Sequence, residues 1–177
     1  MQKSWLRQVE QSSMRLYVQL MMEIVGRGLV AASQTDAEMS RELKSFAPGT
    51  LIQMMVLPDG PGFTVQVGEA GVLKQLHGVV ESVDVGIRFK HLSHAFLVLS
   101  FQESTATAFA HDRMYVDGDI SYALRLVRCL NRMEALILPR LVAERAVKRY
   151  PQLGWREKVL QGAKIYQRLA LNLLRGV

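Results

Sequence analysis

Cysteine is nearly absent from this 177-residue chain: Cys129 stands alone, so no disulfide can form within it. A lone thiol fits a reducing compartment without fixing one. Long apolar runs are also missing. The richest, from Met14 to Ala32, is broken by Arg15, Gln19, Glu23 and Arg27, which argues against a membrane span and for a helix packed on protein. Met1 to Glu10 is too polar for a secretory leader, so the expected location is cytoplasmic. Acidic residues are scarce in the last fifth. Residues 139–177 hold 9 basic and 2 acidic side chains, a net of +7, whereas residues 1–138 carry a net of −1. The basic character of the chain therefore belongs to its C-terminal segment.

The patterns that carry most chemistry are missing as well. There is no Gly-x-Ser-x-Gly elbow, no helix-borne His-Glu-x-x-His and no Gly-Lys-Ser/Thr phosphate loop. Gly26-Arg-Gly28 lacks the third glycine of a dinucleotide loop and interrupts a helix rather than joining strand to helix. His91 and His94, at i and i+3, could meet on one helix face with His111-Asp112 downstream. No third ligand can be placed, so exposed histidines near helix ends outweigh a metal site. Asp117 and Asp119 lie at a helix start, where capping explains them better than acid–base work. The expectation is a protein that is not an enzyme and needs no cofactor or metal.

What is present is a chain with a substantial core: 49% hydrophobic and 21% charged residues. A helix is expected over residues 13–32. Thr35 with Glu38 fits a capping box before a short helix with Met39, Leu43 and Phe46 on one stripe, ended by Pro48-Gly49. Then the period changes. Thr50 to Leu57, Phe63 to Val67, Val72 to Leu76 and Val83 to Phe89 read as four strands, with Pro58-Asp-Gly-Pro-Gly62 the strongest turn signal between them. Short turns imply an antiparallel meander. Two short helices, 91–100 and 104–110, precede a strand over 113–117. A helix over 120–138 follows, ended by Pro139. Arg140 to Arg149 has helical composition, and Trp155 to Leu174 reads as a final helix.

The junction Arg113-Met-Tyr-Val-Asp-Gly-Asp119 is the most informative stretch. Met114 and Val116 alternate as in a strand, Gly118 supplies a turn, and Asp119 is placed to cap the helix that carries Ala123, Leu124, Val127, Leu130 and Met133. From about Thr50 to Leu138 this order of elements resembles the sterol carrier protein type 2-like lipid-binding family. Points of similarity are Asp84 and Ile87 on the last meander strand, Ala106-Thr-Ala-Phe109, and the Gly-Asp turn. The flow from Phe109 to Asp119 and Met133-Glu-Ala-Leu136 before Pro139 are most similar to bacterial ubiquinone biosynthesis accessory factors with such a domain. The chain departs from the pattern at Phe101-Gln-Glu103, where a helix-ending glycine and a basic residue are expected, and in its long helical ends.

The resemblance implies an α+β fold in which an antiparallel meander plus a fifth strand packs against helices. Residues 1–49 would pack on a lipid-binding core of 50–138, and basic helices of 139–177 would follow, all in one compact domain. It also implies non-catalytic binding of a lipid, fatty acyl chain or isoprenoid quinone precursor in a cavity between sheet and helices. Periodicity, not a motif, selects the candidate walls Val85, Ile87, Phe89, Phe96, Phe109, Leu124 and Val127. Nine methionines suit either a deformable cavity or an ordinary core. The final helix is expected to pack Trp155, Val159, Ala163, Tyr166, Leu169, Ala170 and Leu173 as one apolar face, with Lys164, Arg168 and Arg175 free to touch anionic lipid at the inner face of a membrane. A solvated basic face is the plainer alternative. A protein-interaction module with a collapsed cavity is the competing function. Nucleic-acid binding is not expected, because no recognised motif accompanies the charge. Oligomeric state is not legible.

Overall fold

A computed structural model describes residues 2–78, 80, 82–137 and 155–174. Two helices come first, α1 (Gln2–Thr35) and α2 (Ala37–Leu43). Strands β1 (Leu51–Val56), β2 (Gly62–Val67), β3 (Leu73–Leu76) and β4 (Val85–Phe89) follow. Then come α3 (Leu92–Leu99), α4 (Thr105–Ala110), β5 (Met114–Gly118), α5 (Ile120–Ile137) and α6 (Trp155–Leu174). The fold is α+β, a five-stranded sheet packed against helices, as the sequence led us to expect. The helix expected over 140–149 lies outside the described residues.

The order across the sheet is β3-β2-β1-β4-β5. Only β1, β2 and β3 form a meander of antiparallel neighbours. β4 crosses back and pairs parallel to β1, with Ile52 opposite Val85 and Val56 opposite Phe89. β5 then closes the far edge, antiparallel to β4. The four-stranded antiparallel meander expected from the sequence therefore stops at β3, and residues 77–84 are not a short turn. Their actual task is a crossover, fixed at its end where Asp84 accepts a hydrogen bond from Leu51 N at 2.7 Å and gives its own N–H to Leu51 O at 3.0 Å.

α1 runs for 34 residues, well beyond the expected 13–32. Val18, Met22, Val25, Leu29 and Ala32 are buried at helical spacing. It packs on β2, β3, α3, α5 and α6. Its two interior glycines are explained by close approach. A Cβ at Gly26 would lie 3.0 Å from the Phe63 ring of β2, and one at Gly28 would lie 2.8 Å from Met133 Sδ of α5. α2 is capped by Asp36, whose Oδ1 accepts from Met39 N at 2.8 Å. The capping box expected at Thr35 is therefore displaced by one residue. Thr35 closes α1 instead, its hydroxyl donating to Ala31 O at 2.9 Å.

The turn before α5 is as expected. Gly118 has φ +103°, and Asp119 Oδ1 accepts from Ser121 N at 2.6 Å and Tyr122 N at 3.3 Å. Those backbone bonds, Tyr122's first, hold the Asp119 carboxyl below its ordinary range. Phe101, which stands where the family pattern expects glycine, adopts φ +59°, the left-handed conformation glycine would supply.

One half-buried acid contributes a pH dependence. Desolvation within α5 pushes Glu134 up from 4.5 to about 7. Between those values the folded chain holds a proton that the unfolded chain has released. The contribution of Glu134 to stability should therefore fall as pH rises through that window, then level off. Glu134→Gln should flatten the slope, and urea unfolding midpoints at about pH 5 and about pH 8 will show it. The same change between the two pH values in wild type and Glu134→Gln would contradict this environment for Glu134.

Candidate functional site

The inner face of the sheet is apolar because the strand period puts every second residue there. Ile52, Met54 and Val56 of β1 lie beside Val85, Ile87 and Phe89 of β4 in direct register, and Met114 of β5 pairs with Phe89. All seven are buried. α1 and α5 contribute Met22, Leu29, Leu126, Cys129 and Met133, all buried as well. Burial first, and then Glu42 nearby, pushes the Cys129 thiol up to about 12, so it acts as a small apolar side chain.

Five methionines, Met22, Met39, Met54, Met114 and Met133, are buried in the core. They come from α1, α2, β1, β5 and α5. Methionine has three rotatable bonds and a polarizable sulfur, so it can refill a space that changes shape. Sequence reading marked the methionines as a group but not that these five share one core. Their separations in the chain, up to 111 residues between Met22 and Met133, hide the convergence.

The candidate walls fall into three groups. Val85, Ile87 and Phe89 are fully buried on the inner face of β4. Phe96, Phe109 and Val127 are half-buried and packed against the core, with Phe96 edge-to-face on Tyr17 at 5.2 Å between ring centroids. Leu124 stands apart, 57% exposed on the outer side of α5, while Ala123 and Leu126 turn inward. The apolar stripe of α5 is narrower than a wall containing both Leu124 and Val127 requires.

An open surface cleft lies between α1 and the β1–β2 turn. A cleft of about 470 Å³ is bounded by Leu16, Leu20 and Glu23 on one side and Gly60, Pro61 and Gly62 on the other. A second cleft of about 490 Å³ shares Glu23, Gly60 and Gly62 and continues over Gln53, Met55 and Thr64 towards His77. The turn was legible as the strongest in the sequence, but its approach to Leu16 and Leu20, some 40 residues earlier, was not.

α6 packs Leu169 inward as expected but turns Val159, Ala163, Tyr166 and Ala170 of the expected apolar face outward. Its inward side is mixed: Arg168 Nε donates to Gln34 Oε1 at 2.5 Å, Asn172 donates to the same atom at 3.3 Å, Ile165 is buried, and Leu169 packs against the core. The apolar side faces out. Val159, Leu160, Tyr166 and Leu174 are 61%, 63%, 56% and 85% exposed. Gly162 explains the seating, since a Cβ there would lie 2.9 Å from Leu136 O of α5. Lys164 is exposed, Arg168 is tied to α1, and Arg175 lies outside the described residues.

The histidines are not arranged as ligands. His91 and His94 rings are 5.0 Å apart, and desolvation first, then the neighbouring His91, keeps His94 below its ordinary range. His111 instead faces Glu103 at 2.8 Å. Among the described residues no group of three or more His, Cys, Asp or Glu side chains could hold a metal ion.

Solved structures similar to this chain are sterol carrier protein 2 domains. Sterol Carrier Protein 2 Like 2 from Aedes aegypti is 16% identical with a TM-score of 0.40, covering 64% of this chain and 96% of that one. The UbiJ-SCP2 ubiquinone synthesis protein is 13% identical with a TM-score of 0.37, covering 58% of this chain and 95% of that one. Sterol Carrier Protein-2 from Aedes aegypti in complex with palmitate is 14% identical with a TM-score of 0.31, covering 56% of this chain and 94% of that one. No family model matches the sequence, and no curated protein matches it. The family that the sequence resembles is the one these solved structures come from. At these identities and TM-scores the likeness assigns this chain neither ligand nor role.

Proposed function

We propose that this protein binds and carries an apolar chain between its sheet and its helices, without catalysis. The observation that carries the reading is the methionine-filled core beside an open cleft: Met22 lies on the same helix as Leu16 and Leu20, and Met54 on the strand that enters the Pro61 turn. A ligand chain would enter at the cleft and displace flexible methionine side chains. Val85, Ile87 and Phe89 would form its floor, and Phe96, Phe109 and Val127 its sides. Each methylene removed from water contributes about 0.8 kcal/mol, so a long chain needs few polar contacts.

The ligand class that the sequence resemblance favours is a lipid, a fatty acyl chain or an isoprenoid quinone precursor. The role it favours is accessory to ubiquinone biosynthesis, in the cytoplasm and at the surface of a membrane. No described helix is long and apolar enough to cross one.

Native mass spectrometry of freshly purified protein should show a mass increment from a co-purified apolar molecule. Val127→Trp should weaken binding of a fluorescent acyl probe about tenfold, since it fills space beside the floor. Leu124→Trp, on the outer side of α5, should leave binding unchanged. Equal binding by wild type and both variants, with no retained molecule, would show that no chain is held there.

A further inference from the structure

The orientation of α6 points to a use for its outer face. Along this helix Val159, Ala163, Tyr166, Ala170 and Leu174 recur at i, i+4, i+7, i+11 and i+15, which makes one continuous stripe, and all five are exposed. Leu160 widens it. Burial alone would have turned this stripe towards α1 and α5. Instead Arg168 and Asn172 hold the polar side inward through Gln34. Tyr166 donates its hydroxyl to Ile137 O at 2.9 Å, which pins the helix to the end of α5 while more than half the side chain stays in solvent. Contiguous exposed apolar surface of this kind marks an interaction site.

We propose that the outward face of α6 is a membrane-docking surface, laying the helix in the interface of an anionic bilayer. Charge decides the occupant. The stripe lies in the segment whose net charge is +7, and exposed Lys164 flanks it. A basic amphipathic helix of 20 residues that cannot span a membrane suits the boundary between headgroups and acyl chains. A second copy docked symmetrically through the same face would set two α6 helices, each with Arg156, Lys158, Lys164 and Arg168 against Glu157 alone, beside each other, an unfavourable arrangement. Apolar insertion, not charge alone, holds the helix. The docking rests on the carrier reading for its purpose, which is loading at a membrane, and on α6 alone for its geometry.

The test is flotation of the full chain with vesicles of phosphatidylcholine alone or with phosphatidylglycerol added. The comparison variant is Val159→Gln/Leu160→Gln/Leu174→Gln, whose three positions are exposed and outside the core. Wild type should float with the phosphatidylglycerol vesicles, and the triple variant should lose binding about tenfold or more. Lys164→Gln should lose less, and only at low salt, because an exposed charge is screened within about 8 Å at physiological ionic strength. The variant should still retain its co-purified ligand by native mass spectrometry. Loss of vesicle binding in a variant derived from a wild type that carries no ligand would uphold docking and sink the carrier reading. Equal flotation of wild type and variant would overturn the docking proposal. So would a wild type that never floats but sediments as a dimer that the three substitutions make monomeric.

Discussion

Gly118→Ala should leave little folded protein. At φ +103° an L side chain is strained, and a Cβ there would meet Asp84 O at 2.1 Å, inside any allowed contact. The obstacle is backbone, on the neighbouring strand, so no rotamer change relieves it. β5 would have to leave β4 at the Val85–Gly118 pair, next to the start of α5. Backbone strain of about 1–3 kcal/mol and overpacking of about 1–3 kcal/mol together approach the whole stability of a small domain. Circular dichroism and urea titration should show a large loss of folded fraction. Asp119→Ala, which removes only the cap, should give a smaller fall in melting temperature with α5 intact. A Gly118→Ala protein as stable as wild type would mean that the turn is not built as described.

The second large effect is expected at Arg132. Its guanidinium reaches from α5 to Asp36 Oδ2 at 3.1 Å and Glu38 Oε2 at 2.8 Å. The Asp36 side chain is 2% exposed and also caps α2. Arg132→Ala would leave that carboxylate buried without its cation, and breaking such a pair costs about 3–5 kcal/mol. Nearby, Arg128 first and Arg125 second hold Glu42 below its ordinary range, from a more exposed position. Arg128→Ala should therefore cost far less, about 0–1 kcal/mol, because water screens the pair. Chemical denaturation of the two variants will compare them. Equal, small losses would show that Asp36 finds water when Arg132 is removed.

Much of this architecture was legible in the sequence because local signals agreed. Alternation at Val85, Ile87 and Phe89, the turn at Pro58 to Gly62, and glycine followed by a capping aspartate at 118–119 each speak to a few neighbouring residues. The pairing of β4 was not legible. Strand period says which face a residue occupies and nothing about which neighbour it joins. The seating of α6 misled for a different reason. An apolar stripe predicts burial only when nothing stronger orients the helix, and here Gly162 on Leu136 and the Gln34 bonds do. The candidate walls on β4 were legible as a face, and Leu124 was misplaced because a helix stripe has edges that period alone does not define.

The long first helix has a consequence for synthesis. α1 leaves the ribosome before every other element of this sequence, yet the groups that complete its cover come last. Met133 reaches Gly28 only once α5 exists, and Arg168 meets Gln34 some 134 residues later. Until then the cover over the face with Val18, Met22, Val25 and Leu29 is incomplete. At about 5–20 residues per second that interval lasts for several seconds or longer, with apolar surface exposed throughout. A nascent chain stalled before α5 should therefore be a strong client for a chaperone that binds apolar helices, and release should coincide with the emergence of residues 120–137.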